Sequence, residues 1–187
     1  MAEPHAEPHQ GQTAANNPSR DDRDGGTERA LALGALGARG VRVLVPIDAV
    51  AELAMCDSIT PAPLTRRWVR GLTEIGGRVF TVVDLSAFLG GARTRPSRDA
   101  RVIILGDRCP GVCLLVGGVS GMKTFERSRL ADLDPDDIGG DVAALFHGAV
   151  NIEGEACALL DVAALIRDPR FRKPSRVAAP ASAGAVA

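Results

Sequence analysis

Two stretches of the chain repeat one frame without a gap. "WVRGLTEIGGRVFTVVDLSAFLG" (68–90) and "FHGAVNIEGEACALLDVAALI" (146–166) place Gly71 on Gly148, Ile75 on Ile152, Gly77 on Gly154 and Asp84 on Asp161, each 77 positions later. In each copy a strand runs into a two-residue turn, Gly76-Gly77 or Glu153-Gly154, and a second strand returns. Turns that match the twist of paired strands need positive φ, which glycine supplies without steric penalty. The returning strand ends at Asp84 or Asp161, directly before a short apolar helical stretch. A carboxylate there can accept from the first free backbone N–H groups of the helix, worth ~1 kcal/mol. Gly77, Asp84, Gly154 and Asp161 are therefore expected as structural residues, and the chain as two related halves.

The remaining apolar runs are short, β-branched and interrupted by glycine: "VRVLVPI" (41–47), "RVIIL" (101–105) and "GVCLLVGGV" (111–119). Runs of this length bounded by turns argue strands, and their number argues an all-β barrel or sandwich. A weaker echo relates "IDAVAEL" (47–53) to "VGGVSGM" (116–122), offset by 69. Twin barrels separated by a groove follow, an architecture suited to holding other proteins. The charged, turn-rich segment "TFERSRLADLDPDDIGGD" (124–141) is expected as a surface connection between the halves.

Both ends differ in composition from this body. Residues 1–27 are rich in Pro, Asn, Asp, Arg and Gly, and residues 172–187 in Ala and Pro. Neither can bury enough surface to offset its ordering entropy, so one domain over 28–171 between disordered tails is expected. The N-terminus has no basic region followed by an apolar core, and the longest apolar stretches are about half a membrane span, so the reading is a soluble cytoplasmic chain without direct membrane insertion.

Enzyme signatures fail one by one. Cys109 and Cys113 are spaced C-x3-C with no second pair or neighbouring histidine to complete a tetrahedral site, and all four cysteines are expected reduced. His147 lacks the partners of a catalytic base, "GVSGM" has the wrong glycine spacing for a nucleophile elbow, and "DLDPDDIGGDVA" has Asp137 and Ala143 where a calcium loop needs Gly and Glu. No metal or cofactor is expected. A net charge of -1 and six aromatics, Trp68 and five Phe, give no stacking platform in a basic groove, so nucleic acid is not an expected partner. Arg66, Arg67 and Arg70 around Trp68 form a local basic patch, read as a solvated turn or protein contact. An adaptor, a small-ligand regulatory domain, and a hydrolase or metal enzyme remain as alternatives from the residues alone.

In order and spacing, "VPIDAVAEL", "ITPAPLTRRWVRGLTEIGGRVFTVVDLSAFLG", "GVCLLVGGVSGM" and "FHGAVNIEGEACALLDVAALI" resemble the CheW-like coupling proteins of bacterial chemosensory systems. "PLTRRWVRGL" followed by "VFTVVDLSAFLG" is most similar to the PilI branch, which serves type IV pilus twitching motility. The resemblance implies two intertwined five-stranded SH3-like β-barrels with short helices. It implies a non-enzymatic scaffold joining the cytoplasmic tip of a methyl-accepting chemoreceptor to a CheA-type histidine kinase, recruited to membrane-bound receptor arrays. Val50 and Glu52 match the family's V-x-E stretch, and with Gly76, Val119 and Met122 they are the implied partner contacts. Val50, Val119 and Met122 have ordinary core packing as their competing reading. Two positions depart from the family: Gly76 stands where an arginine is usual and Gly117 where an aspartate is usual. Arg78, two residues along the hairpin, is the expected substitute for the missing arginine.

Overall fold

A computed structural model of the chain describes residues 26–36 and 40–172. The tails read over 1–27 and 172–187 lie almost wholly outside the described residues. Ten strands are present: β1 (Thr27–Leu36), β2 (Val41–Pro46), β3 (Glu52–Met55), β4 (Val69–Ile75), β5 (Arg78–Asp84), β6 (Arg101–Ile104), β7 (Val112–Val116), β8 (Val119–Glu126), β9 (Phe146–Ile152) and β10 (Glu155–Leu160). Four short α-helices accompany them among the described residues, besides short stretches of 3-10 helix: α1 (Leu85–Phe88), α2 (Pro135–Ile138), α3 (Val162–Arg167) and α4 (Pro169–Arg172).

The strands form two five-stranded sheets, ordered β8-β1-β2-β10-β9 and β3-β6-β7-β5-β4. The two have the same plan. In each, one hairpin of the sequence repeat (β9–β10 or β4–β5) joins in parallel to a strand (β2 or β7) that continues antiparallel to the next two. All five strands of each sheet feed one interior cluster, so each sheet wraps around its own filling as a barrel. Ala30, Ala32, Leu44, Phe125, Val150, Ile152, Cys157 and Leu159 fill the terminal barrel. Phe80, Val82, Val102, Ile104, Cys113 and Leu115, with Ala54 and Ile75, fill the middle one.

A third cluster lies between the barrels, and strand alternation explains it. Side chains of a strand point alternately to its two faces. On β10, Cys157 and Leu159 enter the barrel while Ala158 and Leu160 face the other barrel; on β7, Cys113 and Leu115 go inward while Leu114 and Val116 face across. Both faces of the inner strands are thus buried, and this is why they read as unbroken apolar runs.

The expected link between halves at 124–141 is placed differently. Residues 124–126 end β8, and the rest leads to β9 in the same barrel, with Ile138 buried and Ala131 bridged to Ala149. Its charge obscured one short turn of helix, Pro135–Ile138, that buries only Ile138. The chain instead passes between barrels at residues 47–51 and at Gly117-Gly118, where glycine and a single helical turn replace strand.

Both repeat turns have left-handed backbone at each central residue: Gly76 φ 56° and Gly77 φ 76°, Glu153 φ 55° and Gly154 φ 85°. This is the twist of a tight hairpin. Gly77→Val and Gly154→Val are each expected to lower stability by about 1–3 kcal/mol, the cost of holding a β-branched residue at positive φ. Thermal melts check this, and wild-type melting of both variants would contradict it.

Candidate interaction surface

β3 and β8 hold equivalent places, each at the end of its sheet order and each paired along one side only, β3 to β6 and β8 to β1. A cleft of about 520 Å³ brings them together at the seam between barrels. Leu53 of β3 lines one wall and Val119, Ser120 and Gly121 of β8 the other, with Gly34 and Arg101 beside them. Apolar side chains are open along these two strands, with Leu53 41% exposed in the cleft and Met55 61% and Met122 48% exposed outside it. Edge strands that keep apolar groups in solvent are the sort of surface a partner covers.

The strand ends are wired from behind. Arg42 on β2 donates to both carboxylate oxygens of Glu155 at 2.6 and 2.8 Å and reaches Ser120 Oγ at 3.3 Å. Ser120 in turn donates to the Ala32 carbonyl at 3.1 Å, so β8, β1, β2 and β10 share one polar strut. The Arg42 guanidinium holds the Glu155 carboxyl below its usual carboxylate range, and Glu155 raises Arg42 in return.

Of the six candidate contacts read from the sequence, Val119 lines this cleft. Val50 and Val119, aligned by the weaker echo, take matching positions, both half-buried against the core between the barrels. Glu52 is exposed beside Leu53, but alternation puts it on the face of Ala54, which points toward the middle barrel's interior. Met122 is exposed on β8, where the Arg29 guanidinium touches its Sδ at 3.4 Å. Gly76 and Arg78 belong to the β4–β5 hairpin, at the opposite end of the sheet order from β3. The Arg78 guanidinium rests over the Phe80 ring, 5.2 Å from its centre. Leu53 and Met55 went unread because a four-residue strand gives too few alternations to establish which face is outward.

Asp84 does more than cap. Fully buried, it accepts from Ala87 N at 3.2 Å as the helix cap, from Thr94 N and Thr94 Oγ1 at 2.8 and 2.9 Å, and from Arg70 at 3.0 Å. Arg70 reaches it through an irregularity. The β4–β5 register skips from Val69 to Gly71, so Arg70 is the extra residue of a bulge, and bulges re-aim side chains. The second copy repeats the device. The β9–β10 register skips His147, whose Nδ1 stands 3.8 Å from Asp161, while Asp161 accepts from Ala164 N at 2.8 Å. These carboxylates are occupied by the fold. Burial raises the Cys109 and Cys157 thiols and pushes Cys113 up to about 12. Among the described residues no group of His, Cys, Asp and Glu could hold a metal ion, and no helix is long and apolar enough to cross a membrane.

The CheW-like domain model matches residues 36–170. The chain belongs to the CheW-like domain family. Among relatives of this CheW-like chain, FrzA of Myxococcus xanthus is 34% identical over 141 residues, covering 73% of the chain and 85% of FrzA. The chemotaxis protein CheW of Rhizobium meliloti is 32% identical over 120 residues, 63% of this chain and 76% of that one. PilI of Pseudomonas aeruginosa is 24% identical over 110 residues, 59% and 61% of the two chains. The scaffolding protein TtCheW from Thermoanaerobacter tengcongensis superimposes with a TM-score of 0.62 at 19% identity, covering 78% of this chain and 91% of that one. The two interleaved barrels are thus the CheW-like fold.

Proposed function

We propose that this chain is a non-enzymatic adaptor that couples the cytoplasmic tip of a methyl-accepting chemoreceptor to a CheA-type histidine kinase at a receptor array in the cytoplasm. The observation that carries the reading is the inter-barrel cleft with exposed Leu53 on one side and Val119 on the other, in a chain of the CheW-like family. Amphipathic helices dock in such grooves through spaced apolar anchors. A receptor tip is the occupant we assign to it, and an exposed barrel end is the surface we assign to the kinase. Service to type IV pilus twitching motility rests on the similarity to PilI. The folding roles of Asp84 and Asp161 favour an adaptor over a hydrolase, and a cleft open to solvent favours it over a small-ligand sensor, which needs an enclosed pocket.

Titration against a receptor signalling-tip fragment tests the reading, with kinase binding followed in parallel. Leu53→Glu is expected to weaken receptor binding by about tenfold or more through a charge placed against an apolar anchor. Glu52→Arg and Arg78→Ala should weaken it by smaller factors, since both side chains are exposed and act mainly on encounter. Unchanged receptor affinity in all three variants would remove the groove from the account.

A further inference from the structure

Most arginines of the described surface are engaged. Arg42 meets Glu155, Arg108 meets Asp48, Arg127 meets Glu28 and Arg170 meets Asp168, while Arg67, Arg101 and Arg129 donate to backbone carbonyls. Arg93, Arg95 and Arg98 are different. All three are exposed, their side chains make no hydrogen bond or ion pair to another described residue, and they fall within one short connection from α1 to β6.

The backbone beneath them is fixed. Buried Thr94 is held through N and Oγ1 by Asp84 and through its carbonyl by Arg70 at 2.7 Å. Further on, Ala100 N donates to Ser97 Oγ and Arg101 donates to the Arg98 carbonyl. Free cations on a pinned loop are a preorganised surface, one that loses little order when an anion binds.

The loop is also a ridge between two clefts. Arg95 and Arg98 rim one of about 620 Å³ with Met55, Ile59 and Leu115 as its apolar part. Arg93 and Arg95 rim another of about 480 Å³ against Leu85 and Val116. We propose that this loop is a second docking surface that takes an acidic, extended segment of a partner protein, with carboxylates on the arginines and an apolar side chain toward Met55 and Ile59. Guanidinium forks match carboxylates two bonds at a time. Clefts with apolar linings admit single side chains, which a flat bilayer does not present, and the loop offers no aromatic for a base to stack on. Asp57 on the rim of the larger cleft, and exposed Asp99 next to Arg98 in the chain, disfavour a dense run of phosphates while leaving room for carboxylates spaced along a peptide. The chain's own acidic run, Asp21, Asp22 and Asp24, is interrupted by Arg23 and suits the site less. The inference goes beyond the adaptor reading and does not depend on what fills the inter-barrel groove.

Fluorescence anisotropy on the full chain tests it, with a labelled peptide of about twelve residues in Glu-Ala-Glu-Leu repeats and its Gln counterpart as probes. The acidic peptide is expected to bind about tenfold or more tighter than the Gln peptide and to weaken as salt rises. Arg95→Glu with Arg98→Glu should lose that advantage. Arg167→Glu with Arg172→Glu, an equal charge change at exposed arginines that line neither cleft, should retain it, with both variants melting as the wild type does. Unchanged binding in the loop variant, or equal loss in both variants, would overturn the site. Equal loop-dependent binding of phosphatidylglycerol vesicles would overturn the peptide assignment in favour of a membrane.

Discussion

Asp84→Ala is expected to destabilise the fold by about 3–5 kcal/mol, the cost of removing one partner from a buried charged pair. Asp161→Ala should cost only about 1 kcal/mol, the value of a helix cap. The contrast comes from surroundings, since the two residues are equivalent in the repeat. Removing Asp84 leaves the partly buried Arg70 guanidinium without its counter-charge, strips both Thr94 donors of their acceptor, and unpins the arginine loop as well. Removing Asp161 frees one backbone N–H and a half-exposed imidazole. A domain of this size is stable by about 5–15 kcal/mol, so the first variant forfeits about a fifth of the total at the least. Urea unfolding midpoints measure the difference, and equal losses in the two variants would refute the hub at Asp84.

Gly71→Ala should cost about 2–5 kcal/mol, combining backbone strain with overpacking, and Gly148→Ala somewhat less. A Cβ on Gly71 would stand 2.0 Å from the Thr60 carbonyl oxygen, and one on Gly148 2.5 Å from that of Ala131. Both glycines also lie at positive φ, 136° and 147°. The reason is shared: in each barrel an incoming segment bridges to the strand just past the bulge, Thr60 to Leu72 and Ala131 to Ala149. By contrast a Cβ at Gly76 meets nothing within 4 Å, so substitution there costs only turn strain. Melting temperatures of the three alanine variants order these effects, and a Gly71 variant no weaker than the Gly76 variant would rule out the close approach.

The gapless repeat made the two barrels legible, because hairpin turns and aspartate stops are local signals. The offset echo also fell on equivalent strands, β3 and β8. The bulge was not legible as such: Arg70 and His147 are aligned by the repeat, but a register skip becomes visible only when the partner strand is placed. Strand β1 was hidden by its composition, since "ALALGALGA" alternates Leu with Ala and Gly and so gives little contrast between faces. The cleft at the seam depends on how the barrels meet, which no local pattern encodes. The unpaired state of Arg93, Arg95 and Arg98 is likewise a property of what surrounds them.

The order in which the strands leave the ribosome differs from the order in which they can be satisfied. Strands β3 to β7 are contiguous in the chain, so the middle barrel has all its parts once Val116 has been synthesised. The terminal barrel must wait. Its first two strands emerge early, yet β2 finds its parallel neighbour only when β10 arrives, and Arg42 meets Glu155 across 113 positions. During that interval the β1–β2 pair shows open edges, a hazard for aggregation that grows with the delay. Nascent chains stalled before Glu155 would hold a complete barrel beside an unfinished one, and would be the species that holding chaperones retain.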